Sequence, residues 1–235
     1  MRHAPHKAHR GTERWGIRMA VLAGAGLLAL AAQATEVRIT VRAGGKAVID
    51  AVASLHSASA AAAATPEAAV IDQRNSQFTP RVTVITTGTR VRFPNSDNVR
   101  HQVYSFSPAK RFDLPLYSGR AAPPVTFETP GVVVLGCNIH DLMLAYVVVV
   151  DSPYHAITGA DGQARMSAPG GTYTLRVWHP DIRDNQPVER KITLAGATAD
   201  AIVDLDLAPQ KAPVAPADDK LRALQEKFRR LKEQR

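Results

Sequence analysis

Val37-Arg38-Ile39-Thr40-Val41 alternates apolar and polar residues, the period of a strand with one buried face. Gly44-Gly45 follows, and Ala47 to Leu55 returns as a second strand, so the pattern predicts a hairpin. Ser57 to Thr65 is Ala/Ser-rich low complexity and reads as a connection. Strand signals resume at Val82–Thr86 and Thr89–Phe93, about a turn at Gly88. Asn95-Ser96-Asp97-Asn98 is a turn cluster. His101 to Phe106 alternates again, Val125–Phe127 is short, and Val132–Leu135 and Leu144–Val150 are continuous apolar runs. Short strands with turn signals at about 8–12 residue intervals predict an all-β chain built as a sandwich or barrel.

After Asp151-Ser152-Pro153 the character changes. Asp161-Gly162 is a turn, and Thr172 to Trp178 is a strong alternating strand. Lys191–Leu194 and Ala201–Leu205 add further strands, so residues 152–208 are expected to form a small second β-sandwich packed on the first. Residues 209–217 are a Pro/Ala linker. Asp218-Asp219 suits a helix start, and Leu221, Leu224, Phe228 and Leu231 follow at spacings of three, four and three. That stripe offers a surface for weak self-association through residues 218–235.

The N-terminal pattern is an address. Five basic residues and one acidic residue precede the uncharged run Met19–Ala32, and Ala32-Gln33-Ala34 closes it with small residues. Residues 1–34 therefore read as a cleaved secretory signal, and the mature chain is expected in the periplasm with no membrane span. Removing them changes the charge picture. The whole chain has a formal charge of +8, whereas residues 35–235 keep 24 basic and 20 acidic residues. The excess that pointed to nucleic acid is halved, and export argues further against such a partner.

One cysteine excludes an internal disulfide framework, a four-cysteine zinc site and an iron–sulfur cluster held by this chain alone. That cysteine lies in Gly136-Cys137-Asn138-Ile139-His140-Asp141-Leu142-Met143, a C-x2-H-x2-M turn between two apolar strands. His101 lies upstream, just after the turn cluster. A thiolate, two imidazoles and a thioether form the ligand set of a blue-copper centre. Soft sulfur suits Cu(I) and imidazole serves both oxidation states, so little has to move when an electron arrives. Structural zinc fits less well, because a thioether is a poor zinc ligand. Elsewhere, His56 reads as a solvated loop residue and His179, in Trp178-His179-Pro180, as a hydrogen-bonded structural one. Ile139 and Leu142 are expected as an apolar collar around His140.

Residues 35–151 resemble a cupredoxin domain. The phrases Phe93 to His101, Val103 to Ser107 and Leu135 to Asp141 are similar to bacterial proteins labelled methylamine utilization or plastocyanin-like, and the short copper loop is of the amicyanin type. The resemblance implies a Greek-key β-sandwich holding one type 1 copper, with His101, Cys137, His140 and Met143 as ligands. One departure is Gln102, where many cupredoxins have an Asn that ties the two ligand loops together; Asn95 and Asn98 are the candidates to replace it. Residues 152–208 resemble transthyretin-like or carboxypeptidase-regulatory modules through Gly159-Ala160-Asp161-Gly162 and Pro169 to Leu175.

The function expected is single-electron transfer, leaving through His140, with a c-type cytochrome or periplasmic dehydrogenase as partner. The alternative is a copper-binding accessory protein whose second module docks a partner. Four ligands leave no open coordination position, so the copper site is not expected to be an enzyme centre.

Overall fold

The computed structural model describes residues 34–57, 68–118, 122–140 and 142–209, together with Arg230. Apart from Ala34 and Arg230, the expected leader and the helix at 218–235 lie outside these residues, as does most of the Ala/Ser connection. Among the described residues no helix is long and apolar enough to cross a membrane.

In chain order, β1 (Ala34–Ala43) turns at Gly44-Gly45 into β2 (Lys46–Ala47), and β3 (Val52–His56) follows. Next come β4 (Ala69–Val70), β5 (Asp72–Arg74), β6 (Gln77–Thr79), β7 (Val82–Thr86) and β8 (Thr89–Arg92). The middle of the chain holds β9 (His101–Ser105), β10 (Phe112–Tyr117), β11 (Val125–Phe127), β12 (Gly131–Gly136) and β13 (Leu144–Val150). The last strands are β14 (His155–Ile157), β15 (Gln163–Pro169), β16 (Gly171–Trp178), β17 (Val188–Leu194) and β18 (Thr198–Asp204). The described residues are nearly all β, as the pattern predicts.

These strands build two sandwiches. In one, the sheet β10-β9-β12-β13-β7 faces the sheet β11-β8-β4. Phe93, Phe127, Val133, Leu135 and Val147 fill the space between them. In the other, β15-β1-β18 faces β14-β3-β16-β17 across Val37, Ile39, Leu55, Leu175 and Val177. Fully burying one such side chain contributes about 1.5–3 kcal/mol.

This pairing departs from the boundary expected at residue 151. β1 lies between β15 and β18, and β3 lies between β14 and β16. The N-terminal strands thus belong to the later sandwich, not to the one that carries Cys137. The predicted hairpin exists only as the two pairs joining β1 to β2. Alternation shows that a strand buries one face, but it carries no information about which sheet receives it.

A third apolar cluster joins the sandwiches. Val148 and Val150 on β13, Val82 on β7, Val52 on β3 and Trp178 on β16 pack together. This explains the unbroken run Val147–Val150, all of it buried. Val147 and Val149 point into one core while Val148 and Val150 point into the seam. A strand covered on both faces has no need of polar alternation.

Candidate metal centre

The site sits at one end of the β9-β12-β13 sheet. β12 ends at Gly136, whose register partner on β13 is Leu144. The chain between them, Cys137 to Met143, is therefore a tight connection closing two adjacent antiparallel strands. The Met143 amide donates to the His140 carbonyl at 3.0 Å, which fixes the turn. β9 lies on the other side of β12, with Tyr104 opposite Gly136. The Tyr104 ring lies so close over Gly136 that a Cβ there would come within 2.8 Å of it. Glycine at 136 leaves room for the Tyr104 ring over the strand end that delivers the cysteine.

Alternation along β9 turns His101, Val103 and Ser105 inward. His101 is fully buried, and its Nδ1 lies 3.2 Å from Nδ1 of His140. The Cys137 Sγ is 3.8 Å from the same His140 nitrogen. The ligand atoms of all three residues lie within 4.8 Å of one another. A metal with nitrogen at about 2.0 Å and thiolate sulfur at about 2.3 Å, in a trigonal to tetrahedral arrangement, needs N···N and S···N separations of about 3.2–3.8 Å. The His101–His140 and Cys137–His140 separations fall within that range. Met143 is buried in the same core cluster as Cys137. The fourth predicted ligand is thus held on the interior side of the turn.

An unpredicted carboxylate completes the histidine. Asp97 Oδ2 lies 2.7 Å from His101 Nε2. With Nε2 donating its proton to Asp97, the Nδ1 lone pair faces Cys137 and His140. Asp97 also accepts the backbone N–H groups of Asn75 and Ser76 at 2.6 and 2.9 Å. The Ser76 bond is the chief cause that holds its carboxyl below the usual value; the His101 contact and the Asn75 bond add to it, against an opposing desolvation. Nothing in the sequence singles Asp97 out from its neighbours in the turn cluster, since its contact depends on where β5 and β6 are placed.

The loop carrying His101 is tied down further. Asn95 Oδ1 accepts the Asp97 amide, and its Nδ2 donates to the carbonyls of Val99 and Tyr117. Gln102 points away, with its side-chain amide donating to Asp113 at 2.6 Å. Asn95, not the residue following His101, therefore secures this loop. Beneath it, fully buried Gln73 donates to the Pro94 carbonyl and to the Tyr117 hydroxyl, which donates to the Phe93 carbonyl. Burial pushes the Tyr117 hydroxyl up to about 12.

His140 is only partly covered. Around it Ile139, Leu142 and Leu144 are exposed, Leu142 almost fully at 88%. Ile139 and Leu142, the residues expected as a collar, are exposed apolar side chains of the turn that carries His140. Of the remaining histidines, His179 is buried and its Nδ1 accepts the Asp181 amide, the structural role expected. His56 is not a solvated loop residue. It ends β3, half-buried, with its ring nitrogens bonded to Ser54 and Asp151.

No protein family matches the chain, and no curated protein does. Among solved structures, it is similar to a Cu-containing nitrite reductase from Thermus scotoductus, at 27% identity and a TM-score of 0.34. That alignment covers 40% of this chain and only 25% of the reductase. A purple cupredoxin from Nitrosopumilus maritimus aligns at 25% identity and a TM-score of 0.32, over 35% of this chain and 99% of that one. An amicyanin point mutant in its reduced Cu(I) form aligns at 23% identity and a TM-score of 0.33, over 42% of this chain and 98% of that one. Likenesses of this extent do not assign a family.

Proposed function

We propose that this protein is a type 1 copper protein that carries single electrons between redox partners outside the cytoplasm. The observation that supports this most is the cluster of a buried thiol and two imidazole nitrogens within 4.8 Å of one another, with a buried methionine closing the same turn. His101, Cys137 and His140 would hold the ion and Met143 would be its weak axial ligand. Copper bound there supplies a one-electron couple.

The protein's residues prepare that couple. Asp97 holds the His101 tautomer, and the core around Cys137 and Met143 excludes water from the sulfur ligands. Anchoring on β9, β12 and β13 keeps the donors in place through a change of charge. The partly exposed edge of His140, rimmed by Ile139, Leu142 and Leu144, is the face a redox protein such as a c-type cytochrome would meet. Contact there would be small and short-lived, as electron-transfer encounters are. The N-terminal leader supports a periplasmic setting.

The test is electrochemical. The copper-loaded protein adsorbed on an electrode is expected to give one reversible one-electron wave. A wave that is absent, or that appears only with loss of the metal, would remove electron carriage as the function.

A further inference from the structure

The seam between the two sandwiches holds a second constellation that electron transfer does not use. Strand alternation places Ala53 and Leu55 of β3 in one core, so Val52, Ser54 and His56 face the opposite way. A cleft of about 560 Å³ lies over that face, with Val132, Val148 and Trp178 among its apolar walls. Its size falls within the range of small-molecule sites, about 300–1,000 Å³. Ser54, His56, Asp151 and Arg176 line it as well.

Three of these form an ordered chain. The Ser54 hydroxyl and His56 Nε2 are 2.8 Å apart. His56 Nδ1 and Asp151 Oδ1 are also 2.8 Å apart. Asp151 is held there because the next residue, Ser152, donates its hydroxyl to the Leu55 carbonyl of β3. A carboxylate on Nδ1 selects the tautomer whose Nε2 accepts the serine proton. Arg176 is the direct cross-strand partner of Ser54, so the two side chains share a face about 5 Å apart at Cβ. The guanidinium spends Nε on Glu189 at 2.8 Å. Its other N–H groups provide charge for an oxyanion beside Ser54.

We propose that Ser54, His56 and Asp151 form a nucleophilic triad that hydrolyses small carboxylic esters with an apolar acyl group. As Ser54 Oγ bonds to the acyl carbon, its proton moves to His56 Nε2. The bond from that carbon to the leaving oxygen breaks, and the alkoxide takes the proton from Nε2 and departs as an alcohol. Water then attacks the acyl-serine, passing a proton through Nε2 back to Oγ and releasing the carboxylic acid. No oxidant or reductant takes part. Asp151 orients the imidazole and stabilises its cation, and Arg176 faces the tetrahedral oxyanion. The acyl chain would lie against Val132, Val148 and Trp178. Burial, reinforced by the Arg176 charge, lowers the His56 pKa, so the ring is unprotonated and ready to accept at neutral pH. This site is distinct from the metal centre. Gly131 lines the cleft and Cys137 lies six residues on, about 20 Å along β12 at 3.3 Å per residue.

The test uses the full chain, p-nitrophenyl butyrate and a fluorophosphonate probe with peptide mapping by mass spectrometry. The probe is expected on Ser54, and hydrolysis is expected to be abolished in Ser54→Ala. Asp151→Asn, at a rim position with a side chain 60% exposed, should fold normally and lose at least about 100-fold in rate. Modification absent from Ser54, or a rate indifferent to both substitutions, would overturn the proposal. Modification of Ser54 without turnover above buffer would also overturn the hydrolysis.

Discussion

At the residue scale, the donor set was legible because chemistry is written in residue type. The lone Cys137, with His140 and Met143 following at equal intervals and His101 upstream at a strand start, narrows the ion sharply. The structure brings Cys137, His101 and His140 together. What sequence hid was the support. Asp97 reaches His101 across four residues of turn, held by amides of Asn75 and Ser76 more than twenty positions away. Carboxylates bonded to ligating imidazoles fix ring orientation and basicity. Asp97→Asn is therefore expected to weaken copper binding by about 10–100-fold with the fold intact, as read by competition with a chelator and by far-UV circular dichroism. Unchanged affinity would show that the turn holds His101 without the carboxylate.

At the element scale, strands were legible where period-two alternation or a pure apolar run was long. β1, β12, β13 and β16 are of this kind. β10 was not, because Pro115 interrupts the short run Phe112–Tyr117. It stands at the sheet edge with a register shift between Leu114 and Tyr117, where a missing N–H is tolerated. β5 and β6 are three residues each and carry too little pattern to register. Pairing was the larger gap. β1 and β3 take their neighbours from residues 155–204, over a hundred positions downstream, and no local signal encodes that. A fragment of residues 35–151 would leave both strands without these neighbours and expose Ile39 and Leu55. It is expected to be unstable to urea or to aggregate, whereas residues 35–209 unfold cooperatively. A fragment as stable as the longer chain would contradict the pairing.

At the scale of the whole molecule, two sandwiches share the seam of Val52, Val82, Val148, Val150 and Trp178. Three histidines lie in or beside the sandwich that β1 and β3 complete. Burial lowers the pKa of His56, His155 and His179 from the ordinary 6.5. Each then binds fewer protons folded than unfolded just below that value, so stability rises with pH there and is lost as pH falls through the lowered folded values. The lowered carboxyl of Asp97 acts only below its ordinary 3.8, outside this window. The urea midpoint should therefore fall on acidification from pH 7 to 5, and His155→Gln should make that fall shallower. An identical slope in the variant would remove His155 from the account. The proposed copper centre gives the most direct test of the whole reading. The visible spectrum of residues 35–235 with one equivalent of Cu(II) is predicted to show an intense thiolate-to-copper band. That band should bleach with one reducing equivalent and be absent in Cys137→Ser. A wild-type spectrum with no such band, or a band that survives in Cys137→Ser, would contradict a blue-copper centre built on Cys137.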